Sequence, residues 1–195
     1  MPSFRTRNTA TDYETALTNC SYCSVGSIIN KTSDEVRQDS GDAFYQKKNN
    51  GNDLALQIQA ITKYMKSKSY IVSQYGTAVK PLSARNLLVT LATMSLGTEC
   101  LLVHGETVQE LPFVDSVHWI MVRKEAAGLR YYDYQMKIAD GNVKQKVKTK
   151  HNNSLGDNEV ISNVPMFACG EEAELDNDYC AVLLSLCHTS QASSL

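Results

Sequence analysis

The chain has 195 residues, enough for one domain with a substantial core, and its 43% hydrophobic and 21% charged residues are typical of soluble globular proteins. A formal net charge of −2 provides no basic surface for nucleic acid, so we expect no nucleic-acid partner. No apolar run is long enough to cross a bilayer, so we expect no membrane span.

The first 18 residues lack the apolar stretch of a signal peptide. We therefore expect synthesis in the cytoplasm. Secretion, or delivery into a target cell, would need machinery that does not read a cleaved signal. Because no repeat and no linker interrupts the sequence, we predict one domain over residues 1–195.

The six cysteines are too few and too unevenly spaced for a disulfide scaffold. Cys20 and Cys23 form a Cys-x-x-Cys pair, but no second close pair completes a zinc site, and the adjacent Cys187 and His188 suit tetrahedral ligation poorly. The sequence therefore predicts reduced thiols, with no metal and no cofactor.

The first half of the chain is predicted to be mainly helical, because its apolar residues recur at helical spacing after capping or turn residues. The predicted helices are a short one over Tyr13–Leu17, then Cys20 to Asn30 or Lys31, Asp34–Lys47 after a cap at Thr32, one capped by Asn52, and one capped by Ser83 and ended by Gly97. The residues expected to face inward are Val36, Ala43 and Phe44, then Leu54, Leu56, Ile58, Ile61, Tyr64 and Met65, then Leu87, Leu88, Leu91 and Met94.

The second half is predicted to form strands, because short apolar runs bounded by turn residues replace the helical period. The predicted strands are Tyr70–Val72, Cys100–Val103, Val117–Val122, Leu129–Tyr134 and Ala181–Leu186. Residues 105–112 are predicted to be a loop, and residues 137–160 a long excursion or a weak hairpin. Helices first and an antiparallel sheet afterwards indicate an α+β fold.

A candidate nucleophile lies at the start of the first long helix. The segment Thr18–Asn30 begins polar, offers Cys20, and then becomes apolar at helical spacing. Backbone N–H groups and the helix dipole favour the thiolate of a cysteine in the first helical turn. A buried structural thiol is the alternative interpretation, since cysteine is among the most buried residue types.

A thiol nucleophile needs a base, and only four histidines are available. His151 and His188 lie in polar or terminal segments, and His104 is expected to end a strand and enter a loop. His118 lies inside an apolar strand, where an imidazole needs a partner. A strand histidine is often simply a core residue, so His118 needs further support.

That support comes from Asp133, on the next predicted strand. If the two strands form a hairpin in which Arg123 pairs with Gly128, His118 lies directly opposite Asp133, with Cβ atoms about 5 Å apart. Asp133 could then accept a hydrogen bond from the imidazole. The register is an assumption, and a solvated Asp133 is the alternative.

Three segments in this order, Asn19–Ser24, His118–Val122 and Tyr131–Gln135, resemble the papain-like fold, and most closely the papain-fold toxin domains of bacterial polymorphic toxins and secreted effectors. The resemblance covers residues 18–30 and 115–136. It implies a helix bearing the nucleophile, packed on an antiparallel sheet whose strands carry the histidine and the aspartate of a triad. The catalytic residues implied are Cys20, His118 and Asp133.

Two features of the resembled family remain open in this chain. In papain itself the second cysteine of the Cys-x-x-Cys pair reacts, which would select Cys23. The small residues after Cys20 match the bacteriocin-processing peptidases and phytochelatin synthases instead, and favour Cys20. No glutamine precedes Cys20 to complete an oxyanion hole, so Asn8 or Asn19 is a candidate for that role.

The resemblance implies a cysteine hydrolase that acts on amide or ester bonds through a thioester, as a protease or a protein-glutamine deamidase. It further implies a toxin or effector with a protein or peptide substrate and an immunity protein as partner. The alternatives are an NlpC-type peptidoglycan amidase, and a non-enzymatic interaction domain with structural cysteines.

Overall fold

The computed structural model describes residues 19–44, 52–108, 111–113, 117–126, 128–132, 160–161 and 179–192. The helices in these ranges are α1 (Cys20–Ile29), α2 (Ser33–Ser40), α3 (Asn52–Ser67), α4 (Ala84–Ala92) and α5 (Thr189–Ala192). The strands are β1 (Tyr70–Tyr75), β2 (Glu99–Val108), β3 (Leu111–Pro112), β4 (His118–Glu125), β5 (Gly128–Tyr132), β6 (Val160–Ile161) and β7 (Tyr179–His188). The fold is α+β, as predicted.

The strands form an antiparallel sheet in the order β1-β7-β2-β4-β5-β6, and β3 pairs with the end of β2. The long strands β2 and β7 lie at the centre, where their fully buried residues come from both faces. No helix among the described residues has the length and apolar character needed to cross a membrane.

Two cores lie on the two faces of the sheet, because successive side chains of a strand point to opposite sides. On one face, which we call the α1 face, Leu101, Val103 and Trp119 pack with helices α1–α3. On the other, which we call the α4 face, Leu102 and Ile120 pack with α4. The described part of the chain therefore forms three layers, with α1–α3 and α4 on opposite sides of the sheet.

Two of the three caps predicted at helix starts are present, whereas Asn52, predicted to cap α3, is itself the first residue of that helix. The Thr32 hydroxyl accepts a hydrogen bond from the Glu35 amide, and the Glu35 carboxylate accepts one from the Thr32 amide, so both halves of a capping box form. The Ser83 side chain caps α4 in the same way by accepting from the Asn86 amide. These local signals determine where α2 and α4 begin.

The predicted ends of α2 and α4 were wrong. α2 stops at Ser40 rather than Lys47, because Gly41 adopts a left-handed conformation (φ 64°) and its N–H bonds back to α2 carbonyls. α4 stops at Ala92, with Thr93 as its C-cap, well before Gly97. Both helices are therefore shorter than their apolar spacing indicated.

Nine of the thirteen predicted inward-facing helical residues are buried, two in or after α4 are half-buried, and two are exposed. Ala43 lies beyond the end of α2 and is exposed. Leu56 is 51% exposed because it is two residues from both Leu54 and Ile58, which puts it on the opposite side of α3. The exposure of Leu56 follows from the helical period itself.

Apart from β5, which is described only as far as Tyr132, the predicted strands are longer in the structure, and the predicted loop at residues 105–112 was wrong. β2 continues through Val108 and pairs antiparallel with β3, with Thr107 opposite Pro112. β7 extends at both ends to Tyr179 and His188, and β1 extends to Tyr75. The predicted helix Tyr13–Leu17 lies outside the described residues, as does all of residues 137–160 except Val160, which belongs to β6.

Candidate functional site

Cys20 is the first residue of α1, as predicted, and its thiol is half-buried. Cys23, one turn further along, is fully buried within the same helix. Helix geometry gives the first N–H groups of α1 no intrahelical acceptor, so they surround the Cys20 end of the helix. Of the two thiols, Cys20 is the one that solvent and a substrate can reach.

Helix α1 lies against β4, the strand that begins with His118. The close approach is made at a small residue, Ser24, which is fully buried. The Ser24 hydroxyl donates a hydrogen bond of 2.9 Å to the main-chain carbonyl of Trp119. The fold thus places the helix that begins with Cys20 directly beside the strand that begins with His118.

Asn19 serves as the N-cap residue of α1 without a capping hydrogen bond from its side chain. Its side chain is fully buried and turns to α2, where its Nδ2 lies 3.4 Å from the Ser33 Oγ and its Oδ1 accepts a hydrogen bond from the Arg37 guanidinium. This arrangement supports a structural role for Asn19, which ties the start of α1 to α2. Asn8, the other candidate for an oxyanion hole, lies outside the described residues.

A polar cluster behind α1 continues from Arg37. The guanidinium stacks over the Tyr22 ring at 4.6 Å and pairs with Asp42 at 3.1 Å. The Tyr22 hydroxyl donates to Asp42 at 2.7 Å and accepts from the Phe44 amide at 3.1 Å. Burial, together with Asp42, holds the pKa of Tyr22 above its usual range, so this tyrosine is a neutral hydrogen-bonding group. The cluster holds the segment after α2 against α1.

His118 is half-buried and lies directly opposite His104 of β2. The two rings meet edge to face, with centroids 5.7 Å apart. Strand alternation puts His118 on the α4 face with Ile120, whereas its neighbour Trp119 lies on the α1 face. The backbone of His118 is therefore beside the Cys20 helix, but its ring contacts His104.

His104 is more deeply buried than the sequence pattern indicated. It lies inside β2 rather than at its end, is 2% exposed, and has its ring 5.8 Å from the Tyr179 ring. Alternation along the strand from Cys100 through Leu102 puts His104 on a buried face, so the sequence does contain a signal for the burial of His104. Its pairing with His118 depends on strand register, which the local pattern does not contain.

The assumed register of the β4–β5 hairpin was wrong. Arg123 pairs with Arg130, and Gly128 pairs with Glu125, which displaces the pairing by two residues. A hairpin in this register does not place position 133 directly opposite His118. Asp133 itself lies outside the described residues, so its role remains a prediction.

The described cysteines are not in disulfides. Cys100 is buried beneath α4, and burial raises the pKa of its thiol to about 12, so it stays protonated near neutral pH. Within the described residues no group of three or more His, Cys, Asp or Glu side chains could hold a metal ion. Cys100 is thus an inert thiol, in contrast to the half-buried Cys20.

No family model matches the chain, and no curated protein matches its sequence. The chemistry available among the described residues is that of a half-buried thiol at a helix start, beside a strand that carries an imidazole at its first residue. A thiol in that position is a candidate nucleophile, and an imidazole is the usual proton shuttle for one.

Proposed function

We propose that this chain is a cysteine-dependent hydrolase that cleaves amide or ester bonds, with Cys20 as nucleophile, His118 as proton shuttle and Asp133 as the group that orients the imidazole. The proposal is carried by one observation: α1, which begins with Cys20, packs on β4, which begins with His118. The order of helix and strands is also that expected from the papain-like resemblance, and the papain-like assignment is part of the proposal.

In this mechanism His118 takes the proton of the Cys20 thiol, and the resulting thiolate attacks the carbonyl carbon of the substrate and forms a tetrahedral oxyanion. The backbone N–H of Cys20 and the helix dipole stabilise that charge. His118 protonates the leaving group, and a thioester remains on Cys20. His118 then takes a proton from water, whose attack releases the acyl product and the free thiol. The His118 ring lies on the sheet face opposite to α1 and contacts His104, so the reaction requires a backbone rearrangement at the start of β4 that brings the ring to the Cys20 thiol.

The biological setting proposed is that of a bacterial toxin or secreted effector, acting on a protein or peptide as a protease or protein-glutamine deamidase. An immunity protein would be its partner. These details rest on the resemblance of the Cys20 and His118 segments. The reaction itself needs no cofactor.

Thiol labelling tests the chemistry directly. We expect brief iodoacetamide treatment near neutral pH, followed by peptide mapping, to label Cys20 first and Cys23 slowly. His118→Gln should slow labelling of Cys20, because the imidazole helps to form the thiolate. Preferential labelling of Cys23 would transfer the nucleophile to Cys23, and an unchanged Cys20 rate in His118→Gln would contradict the Cys20–His118 pair.

Expression in bacteria tests the function. The wild-type chain is produced in the cytosol and, separately, with a periplasmic signal. We expect toxicity in one compartment, lost in Cys20→Ser and kept in the matched control Cys23→Ala. Toxicity that survives Cys20→Ser would exclude Cys20 as the nucleophile.

A second candidate is an interaction domain whose thiols are structural. It is favoured by the placement of the His118 ring against His104, on the sheet face opposite to α1. For such a domain, neither Cys20→Ser nor His118→Gln should change any activity, and His118→Gln should leave the labelling rate of the Cys20 thiol unchanged.

A further inference from the structure

The histidine pair on the α4 face is a feature that the proposed mechanism does not use as such. His104 and His118 are directly opposed residues on adjacent antiparallel strands. Their neighbours Val103 and Trp119 are also directly opposed, so a continuous ladder holds the two backbones in register. The imidazoles therefore stand side by side on a rigid part of the sheet, with centroids 5.7 Å apart.

That separation suits two imidazoles bound to one metal ion. A zinc–nitrogen bond is about 2.0–2.1 Å long, so each ring centroid lies about 3.2 Å from the ion. Angles of about 105–130° between the two zinc–nitrogen bonds then place the two centroids about 5.1–5.8 Å apart. The observed separation lies within this interval, so rotation of the rings in place can direct one nitrogen of each to a common point.

We propose that His104 and His118 form a binding site for one divalent transition-metal ion, with Zn²⁺ as the ion best suited to it. Imidazole is a preferred ligand of Zn²⁺, Cu²⁺ and Ni²⁺, whereas Mg²⁺ and Ca²⁺ prefer oxygen. Among the described residues no third His, Cys, Asp or Glu joins the pair, so water completes the coordination. His118 is half-buried, which leaves a route for the ion and its water.

The metal site is independent of the proposed hydrolase. One consequence does rest on that function: a metal-bound His118 could not carry protons for Cys20, so Zn²⁺ would inhibit the reaction. The tests below measure binding itself, so their failure and the failure of the hydrolase proposal are distinguishable.

Isothermal titration of the full chain with Zn²⁺, with the thiols kept reduced by a phosphine, is the primary test. We expect one ion per chain in the wild type. His104→Gln and His118→Gln should each lower the affinity by at least about tenfold, since loss of outer-shell partners alone costs 10–100-fold. The matched control His188→Gln removes a half-buried histidine at the far end of β7 and should bind as the wild type does.

Thiols also bind Zn²⁺, so Cys20→Ser is titrated in parallel and should retain the site. Because His104 is 2% exposed, folding of His104→Gln is checked by circular dichroism. If His104→Gln does not fold, the test is decided by His118→Gln, which changes a half-buried residue. No binding in the wild type would overturn the proposal. So would binding that persists in His118→Gln, or binding that is lost in Cys20→Ser.

Trp119 provides a second readout, because it is the only tryptophan in the chain and adjoins His118. We expect Cu²⁺ to quench its fluorescence in the wild type and in His188→Gln, and to do so at least about tenfold less effectively in His118→Gln. Equal quenching in the wild type and in His118→Gln would place the copper elsewhere and contradict the assignment.

Discussion

Trp119 shows how a single residue anchors the α1 face of the sheet. It is 1% exposed, and its indole Nε1 donates a hydrogen bond of 2.8 Å to the Gln57 Oε1. Gln57 in turn donates through Nε2 to the Phe44 carbonyl at 2.8 Å. One side chain of α3 thus satisfies a buried donor of β4 and a carbonyl of the segment after α2.

Gln57→Leu tests this link. The substitution leaves the buried indole N–H without its acceptor, so we expect a loss of about 1–3 kcal/mol in the free energy of unfolding, measured by urea titration. Gln59→Leu, at an exposed position of the same helix, is the control and should change it by less than about 0.5 kcal/mol. Equal effects in the two variants would mean that the indole hydrogen bond contributes little.

Leu102 tests the opposite core in the same way. It is fully buried in the centre of β2, against α4. Leu102→Ala should reduce the free energy of unfolding by about 2–5 kcal/mol, through lost burial and a residual cavity. Leu96→Ala, at a position 68% exposed, should have little effect on the urea midpoint. A small loss in Leu102→Ala would indicate that the second core is loosely packed.

At the scale of elements, the start of α2 depends on Thr32. Its hydroxyl accepts from the Glu35 amide, and its own amide donates to the Glu35 carboxylate at 2.7 Å. Thr32→Ala removes one half of this capping box and should lower the free energy of unfolding by about 0.5–2 kcal/mol. Thr93→Ala, at the exposed C-cap of α4, is the control, and a larger effect there would contradict the capping argument.

The junction of α2 with α3 depends on Asp39. Its carboxylate contacts Lys31 at 2.8 Å, Lys68 at 2.6 Å and the Tyr64 hydroxyl at 2.7 Å. Lys31, then Lys68, then Tyr64 hold the pKa of Asp39 well below its usual range. Because the folded state keeps this carboxylate ionised at lower pH than the unfolded state does, the stability it provides is present above the ordinary pKa of about 4 and is lost as the pH falls below it.

Asp39→Asn should therefore cost about 1 kcal/mol at pH 7, a modest value because the site is partly solvated. As the pH falls below about 4, the free energy of unfolding of the wild type should approach that of Asp39→Asn. The two should become equal once Asp39 is protonated in the folded state. Urea titrations over that pH range measure the difference. Asp34→Asn, at an exposed carboxylate of the same helix, is the control and should lower the free energy of unfolding at pH 7 by less than Asp39→Asn does. Parallel curves for Asp39→Asn and wild type would contradict the assignment.

At the scale of the whole molecule, the two cores share one sheet. β2 and β7 contribute alternate residues to both faces, so neither core can lose its packing while the other keeps an intact sheet. We therefore expect one cooperative unfolding transition. Trp119 fluorescence reports on the α1 face, and labelling of the buried Cys100 thiol reports on the α4 face. The urea midpoints measured with these two probes should coincide. Separate midpoints would show that the two layers unfold independently.

The sequence by itself determined the features that depend on neighbouring residues. Thr32 and Ser83 marked helix starts, because a cap bonds to an amide three residues away. Alternation identified the core of β4, and helical spacing identified the buried face of α3 apart from Leu56. The placement of Cys20 as the first residue of α1 followed from the same local signals.

Only the tertiary structure decided which strands pair and in what register. Arg123 pairs with Arg130 instead of Gly128, and a displacement by two residues keeps every side chain on its face. Alternation therefore cannot distinguish the two registers. The contact between His104 and His118 has the same origin, because it joins two strands through pairing that neither segment specifies alone. Local periodicity determines which face a residue occupies, whereas the partner it meets there is decided by how distant segments pack together.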